Sequence, residues 1–231
     1  MAANRTIVII GAGPGIGRSV TSLFASNRYN KIALLARRDE QLQLEKAAVE
    51  AAVSHPVTIK TYVVDVSDGD ALVSAMDKID ADLGQPEVVF YNAARVLVSN
   101  FFEHPVKEIE YDFKITVTSL YQLAGREIPR LVKLAQSDAT SRPAFIVTSS
   151  LLPKEPEPEL FALSLTKGAQ WNLVKSLYKQ FGPQGVHIGV MIVGGFVSPE
   201  EPNRNPDNIA KKTWEWYSQP IEKQPFEVEI L

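Results

Sequence analysis

The sequence predicts an α/β fold: a doubly wound parallel sheet, helices on both faces, three layers deep, in a single domain over residues 1–231. Three observations point there. Short apolar runs alternate with amphipathic stretches along the chain, the order that successive βαβ units give. The runs Ile7-Val-Ile-Ile10 and Val88-Val-Phe-Tyr91 are apolar without alternation, as in strands buried on both faces. The first run ends in Gly11-Ala-Gly-Pro-Gly15-Ile-Gly17, a turn that leads into a helix.

Each element has its own signal. Thr6–Ile10 is β-branched and reads as a buried strand, followed by a helix over Ile16–Asn27. Lys31–Ala36 is the second strand, and Asp39–Val53 is a charged helix that stops before His55-Pro56. Val57–Val64 is the third strand. Ser67 is the expected N-cap of a helix running to Leu83. Glu87–Tyr91 is the fourth strand. Val106–Ala135 is long enough for one long helix, bent or interrupted around Gly125 and Pro129. Ala144–Ser149 is the fifth strand, Phe161–Phe181 a helix ending at Gly182-Pro183, and His187–Val193 the sixth strand. A short helix over Asp207–Ser218 and a last strand over Phe226–Ile230 complete the chain. Pro153–Glu159, reading PKEPEPE, is a loop on the domain, too short for a linker.

Composition narrows the function. The chain has 231 residues, 45% of them hydrophobic, enough for a sizeable core. The net charge is −3 and Lys and Arg are scattered, which argues against a nucleic-acid partner. Cysteine is absent, so disulfides and cysteine nucleophiles are excluded. The apolar run Ile7–Ile10 ends at glycine, too short for a signal peptide. No stretch approaches the ~20 apolar residues of a membrane span. The expectation is a soluble cytoplasmic protein without a membrane partner. No His, Asp, Glu or Cys grouping has metal-ligand spacing, so no metal site is expected.

The glycine turn carries the first chemistry. Gly11, Gly15 and Gly17 stand in G-x-x-x-G-x-G order with Gly13 between, and Ile16 occupies the last glycine position of the G-x-G-x-x-G spacing. Glycines here permit a tight strand-to-helix turn and close approach of backbone to a pyrophosphate. The helix N-terminus adds unpaired N–H groups and a positive dipole end. This is the phosphate-binding turn of a Rossmann-type sheet. At the end of the second strand an acid would bind the ribose 2′-OH of NAD, but the chain reads Ala36-Arg37-Arg38. An arginine suits a 2′-phosphate through charge-assisted hydrogen bonds, so NADP(H) is expected over NAD(H), with Arg37 as the selector.

Further landmarks fall in order. Asp65-Val66 follows the third strand and Asn92-Ala93-Ala94 the fourth; Ser149-Ser150 closes the fifth, Lys167 lies in the following helix, and Gly194-Gly195 follows the sixth. Over roughly Thr6 to Gly195 the chain resembles the short-chain dehydrogenase/reductase family. The resemblance implies that Asp65 and Val66 hold the adenine. It matches Asn92-Ala93-Ala94 to the family's N-A-G element and Gly194-Gly195 to its P-G, with the proline lost. It implies catalytic roles for Ser150, which would orient a substrate, and for Lys167, which would hold the nicotinamide ribose. It also implies a homodimer or homotetramer built on the two long helices, Val106–Ala135 and Phe161–Phe181.

The departures bear on activity. The family's catalytic tyrosine, four residues before the lysine, gives a proton to a carbonyl while the cofactor delivers hydride. Here the segment reads Leu163-Ser-Leu-Thr-Lys167, so Leu163 takes that place. The family asparagine that holds a water linked to the lysine aligns with Thr116. The chain thus resembles a divergent branch that lacks the tyrosine. A lost general acid costs ~10²–10⁴ in rate and leaves cofactor binding untouched.

Several side chains are candidates to replace the lost acid. Tyr91 adjoins the N-A-A element but reads as a buried strand-end aromatic. Tyr111 and Tyr121 share the apolar spacing of Phe113 and Val117 and read as core or subunit contacts. Glu155, Glu157 and Glu159 read as a solvated run. His104, after Phe101-Phe102, reads as an exposed loop histidine. The segment Phe196–Pro206 is a short, proline-bearing cover for a substrate site. Trp214 and Tyr217, three apart, read as one helix face packed on the core. Three functions stay open: an NADP(H)-dependent oxidoreductase acting on a carbonyl, imine or activated alkene of a small molecule; an inactive NADP-binding sensor or partner subunit; and a cofactor-bound cyclase or isomerase.

Overall fold

The structure is a computed structural model that describes residues 4–231. Seven parallel strands form one sheet in the order β3-β2-β1-β4-β5-β6-β7. They are β1 (Thr6–Ile10), β2 (Lys31–Ala36), β3 (Thr58–Val63), β4 (Pro86–Tyr91), β5 (Ala144–Ser150), β6 (His187–Val193) and β7 (Glu227–Ile230). The helices are α1 (Ile16–Asn27), α2 (Asp39–Ala52), α3 (Gly69–Leu83), α4 (Val106–Phe113), α5 (Ser119–Ser137), α6 (Phe161–Phe181) and α7 (Pro206–Tyr217). The predicted doubly wound α/β architecture is therefore present, in three layers.

The sheet separates two cores. Val8, Ile10, Tyr91, Phe145 and Val190 face α3, α5 and α6. Ile7, Ile9, Phe90, Ile146 and Met191 face α1, α2 and α7. Because successive residues of a strand point to opposite faces, a strand covered on both sides must be apolar throughout, and β1 and β4 are buried along their full length. On the second face Trp214 and Tyr217 of α7 pack their rings on Phe24 of α1, with centroids 5.0 and 5.1 Å away. Their reading as a core-packing helix face holds.

Two local expectations are corrected. Ser67 does not cap α3. Asp68 does, its side chain accepting from Ala71 N at 2.9 Å, while Ser67 N donates to Asp65 Oδ1 in the preceding turn. The long helix is not interrupted at Gly125 or Pro129, both of which lie inside α5. It is interrupted by a π-helical turn at Lys114–Thr118, between α4 and α5. A π turn inserts an extra residue and frees carbonyls from the regular ladder. Two carbonyls of the turn accept from side chains: Tyr91 OH donates to Ile115 O, and Gln170 Nε2 donates to Thr116 O at 3.0 Å.

Candidate active site

A cleft of about 220 Å³ opens beyond the carboxyl ends of the central strands. Its walls are the turns that follow β1 (Gly11–Pro14), β2 (Ala36–Arg38), β3 (Val64–Val66) and β4 (Asn92–Arg95). The strand order reverses between β1 and β4, so the cleft lies at the topological switch point where open parallel sheets bind ligands. Of the sequence-predicted cofactor residues, Gly11, Gly13, Arg37, Asp65, Val66, Asn92 and Ala93 line it.

The glycines divide into two roles. Gly11 has φ +90°, and a Cβ there would meet Ala93 N at 2.6 Å, so the turn after β1 packs on the turn after β4 only as glycine. A Cβ on Gly17 would meet Gly11 O at 2.9 Å, so α1 starts close against the strand end. A Cβ on Gly13 or Gly15 would meet nothing within 4 Å. Those two face open space where a phosphate can approach the backbone. Gly15 is the N-cap of α1, and Ile16 and Gly17 begin the helix with N–H groups that have no intrahelical acceptor.

At the β2 end, Arg37 and Arg38 are exposed and, among the described residues, neither side chain makes an ion pair or hydrogen bond. Arg38 is the N-cap residue of α2 and its side chain gives no cap bond. Burial pushes the Asp65 carboxyl up, but hydrogen bonds from Ser67, the charge of Arg37 and the Tyr111 hydroxyl outweigh it and hold it below the usual carboxylate range. Arg95, also on the wall, is engaged: it bonds Asp112 at 2.6 Å and Glu108 at 2.7 Å, and its guanidinium lies 4.8 Å from the Tyr111 ring centre.

From the glycine turn a chain of hydrogen bonds runs across the strand ends. Asn92 Nδ2 donates to Gly11 O at 3.0 Å, and Thr148 Oγ1 donates to Asn92 Oδ1 at 2.8 Å. Lys167 Nζ donates to Thr148 O at 2.8 Å and to Gln170 Oε1 at 2.9 Å, and Gln170 passes the chain to Thr116 O. Lys167 is 5% exposed, and burial pulls its ammonium down to about 8. Two of its three N–H groups are used. Leu163, one turn earlier on the same face of α6, is 7% exposed. Ser150, at the end of β5, is half-buried and accepts from Leu152 N at 3.3 Å; its neighbour Ser149 has a buried hydroxyl without a partner.

The structure sorts the other candidate acids. Tyr91 is fully buried, donates to Ile115 O and is pushed up by burial, so it holds its proton inside the core. Tyr111 donates to Asp65 Oδ2 at 3.3 Å at the β3 end of the cleft. Tyr121 and the glutamates at 155, 157 and 159 are exposed. His104 departs from its exposed reading: it is half-buried, edge-on to Phe161 at 5.9 Å, and its Nε2 is buried without a partner. Sequence reasoning missed Thr148 and Gln170. A glutamine three residues after a lysine on an otherwise apolar helix face was the available signal for the second.

The chain belongs to the short chain dehydrogenase family, whose pattern it matches over residues 5–208. Among curated relatives it is 25% identical over 195 residues to an uncharacterized oxidoreductase of Bacillus subtilis, covering 83% of this chain and 74% of that one. It is 24% identical over 199 residues to glucose 1-dehydrogenase of Gluconobacter oxydans, covering 85% and 71%. Among solved structures, a metagenomic short-chain oxidoreductase in complex with NADP superposes with TM-score 0.83 at 21% identity, over 98% of this chain and 96% of that one. An NADPH-bound short chain oxidoreductase from Pseudomonas aeruginosa PAO1, described as containing an atypical catalytic center, superposes with TM-score 0.83 at 20% identity, over 98% and 95%. Among the described residues no helix is long and apolar enough to cross a membrane, and no group of three or more His, Cys, Asp or Glu is placed to hold a metal ion.

Proposed function

We propose that the protein is an NADP(H)-dependent oxidoreductase that acts on a carbonyl, imine or activated alkene of a small organic molecule through an atypical active site. The observation that carries the reading is the pair Arg37 and Arg38. Both stand on the cleft wall where β2 gives way to α2. An arginine that makes no hydrogen bond or close ion pair can turn its guanidinium to a 2′-phosphate, and charge-assisted bonds of this kind are the strong ones. The open space over Gly13 and Gly15 fits a pyrophosphate. NADP or NADPH bound to proteins of the same fold supports the same cofactor.

When bound, the cofactor supplies hydride. The chain's own residues bind and orient. Arg37 and Arg38 hold the 2′-phosphate, the turn from Gly11 to Gly17 holds the pyrophosphate, and Asp65 and Val66 receive the adenine. Lys167 offers its remaining N–H to the nicotinamide ribose, and Ser150 orients the substrate. With leucine at position 163, the proton must arrive with the substrate or from solvent. An iminium carries its proton already, which makes imines the preferred substrate class. The test is consumption of NADPH in the presence of a panel of small imines, ketones and activated alkenes. Turnover that Lys167→Ala abolishes is expected; cofactor binding without turnover on any of them contradicts it.

A second reading rests on Gln170. With the lysine tied to a glutamine and a leucine one turn away, the site also suits a protein that binds NADP and does not turn over, as a sensor or partner subunit. Assembly through α5 and α6 is part of the proposal: Tyr121 and Leu165 are large exposed side chains on those helices.

A further inference from the structure

Gln170 is one of the most enclosed polar side chains in the molecule. It is 0% exposed. Its Oε1 accepts from Lys167 Nζ at 2.9 Å and its Nε2 donates to Thr116 O at 3.0 Å. Enclosure of an amide is costly unless both ends are bonded. Here both are, one to the lysine and one to a carbonyl that the π turn presents. The acceptor belongs to the π turn at Lys114–Thr118, where the helix departs from α-helical bonding. The three features therefore depend on one another: the π turn offers a carbonyl, Gln170 bridges to it, and the bridge fixes an ammonium inside the fold.

We propose that Gln170 is the positioning residue of Lys167: it holds the ammonium between Thr148 O and the π turn, and it sets how readily that ammonium keeps its proton. The inference rests on the proposed role of Lys167 at the nicotinamide ribose. The amide touches neither that ribose nor a substrate and acts through the lysine. A free lysine chain has four rotatable bonds, so an acceptor on one side only would leave the head mobile. Two acceptors, one from β5 and one from α6, leave a single N–H for a further acceptor.

The charge balance at this point is simple. The groups bonded to the ammonium are Thr148 and Gln170, with Thr116 beyond, and none carries charge. Tyr91 of β4 reaches the same π turn through Ile115 O and stays neutral, because burial pushes its hydroxyl up. Burial of Lys167 favours the neutral amine, and the amide oxygen of Gln170 opposes it by accepting from the charged form. Replacing the amide by a carboxylate strengthens that opposition; replacing it by a hydrocarbon removes it.

The test is a pH titration of the Lys167 ε-carbon by NMR in protein labelled with 13C-lysine, without cofactor, for the wild type, Gln170→Glu and Gln170→Leu. The midpoint is expected to rise by about one unit or more in Q170E and to fall in Q170L. Two folded variants whose midpoint equals that of the wild type overturn the proposal. If neither folds, the unaltered protein decides. Its Gln170 side-chain amide protons are expected to exchange slowly and to move with the Lys167 midpoint; an amide signal that stays still while Lys167 titrates overturns the proposal. Cofactor affinity is read separately, as the NADPH Kd against pH, where the break is expected to follow the lysine midpoint in each protein. Absence of NADPH binding to the wild type would sink the functional reading, while the titration without cofactor would still decide the role of Gln170.

Discussion

Thr148 Oγ1 lies 2.8 Å from Asn92 Oδ1 and ties the end of β5 to the end of β4. Asn92 in turn bonds Gly11 O, and Thr148 O receives Lys167. The glycine turn and the lysine, proposed to hold the pyrophosphate and the nicotinamide ribose, are thus held by one connected set of bonds. Thr148→Val removes the hydroxyl and keeps the shape. It is expected to lower stability by about 1–2 kcal/mol in urea unfolding, because Asn92 Oδ1 loses a donor in a half-buried site. It is also expected to weaken NADPH binding. Unchanged stability and affinity would mean that the turn and the lysine are independent.

Arg37→Ala is expected to separate the two cofactors. A hydrogen bond to a charged group contributes about 1.5–3 kcal/mol, or roughly a 10- to 150-fold change in Kd. Calorimetric titration should show that loss for NADPH and almost none for NADH. Equal losses would place Arg37 away from the 2′-phosphate.

His187 predicts a particular acid sensitivity. Burial beside Trp216 and Tyr217 pulls its imidazole down from 6.5 to about 3, and neither ring nitrogen has a partner. The unfolded chain binds this proton below pH 6.5 and the folded chain does not until about 3. Stability therefore falls as pH drops through that window, by up to about 1.4 kcal/mol per unit from this group. Urea unfolding at several pH values should show a shallower decline between 6 and 4 in His187→Leu than in the wild type. Parallel declines would contradict the assignment.

The exposed Tyr121 on α5 and Leu165 on α6 are expected to meet a second copy of the chain. Light scattering should give a dimer or tetramer for the wild type and a smaller species for Leu165→Glu. A wild-type monomer would leave these side chains as ordinary surface.

Much of the fold was legible in the sequence. Runs such as Ile7–Ile10 and Val88–Tyr91 carry no polar alternation, and only a doubly covered parallel sheet needs strands of that kind. The glycine turn was legible because it answers a local demand for close backbone approach, and Arg37 because it stands at the strand end that opens on the cleft. What escaped was the result of packing between distant segments. The π turn at Lys114–Thr118 leaves no compositional mark; Pro129, the visible helix breaker, sits inside α5 without ending it. Asp68 outcompeted Ser67 as a cap because Ser67 N is drawn into the turn closed by Asp65. Gln170 and Thr148 gained their place only when α6, β5 and the π turn met in space.

The most direct test of the central claim is thermal unfolding with and without NADPH and NADH. A ligand at 100 times its Kd adds ~2.7 kcal/mol to stability, a rise in Tm of roughly 5–10 °C for a domain of this size. The account predicts that rise with NADPH and a smaller one with NADH at the same concentration. No rise with either, or an equal one with both, would contradict it.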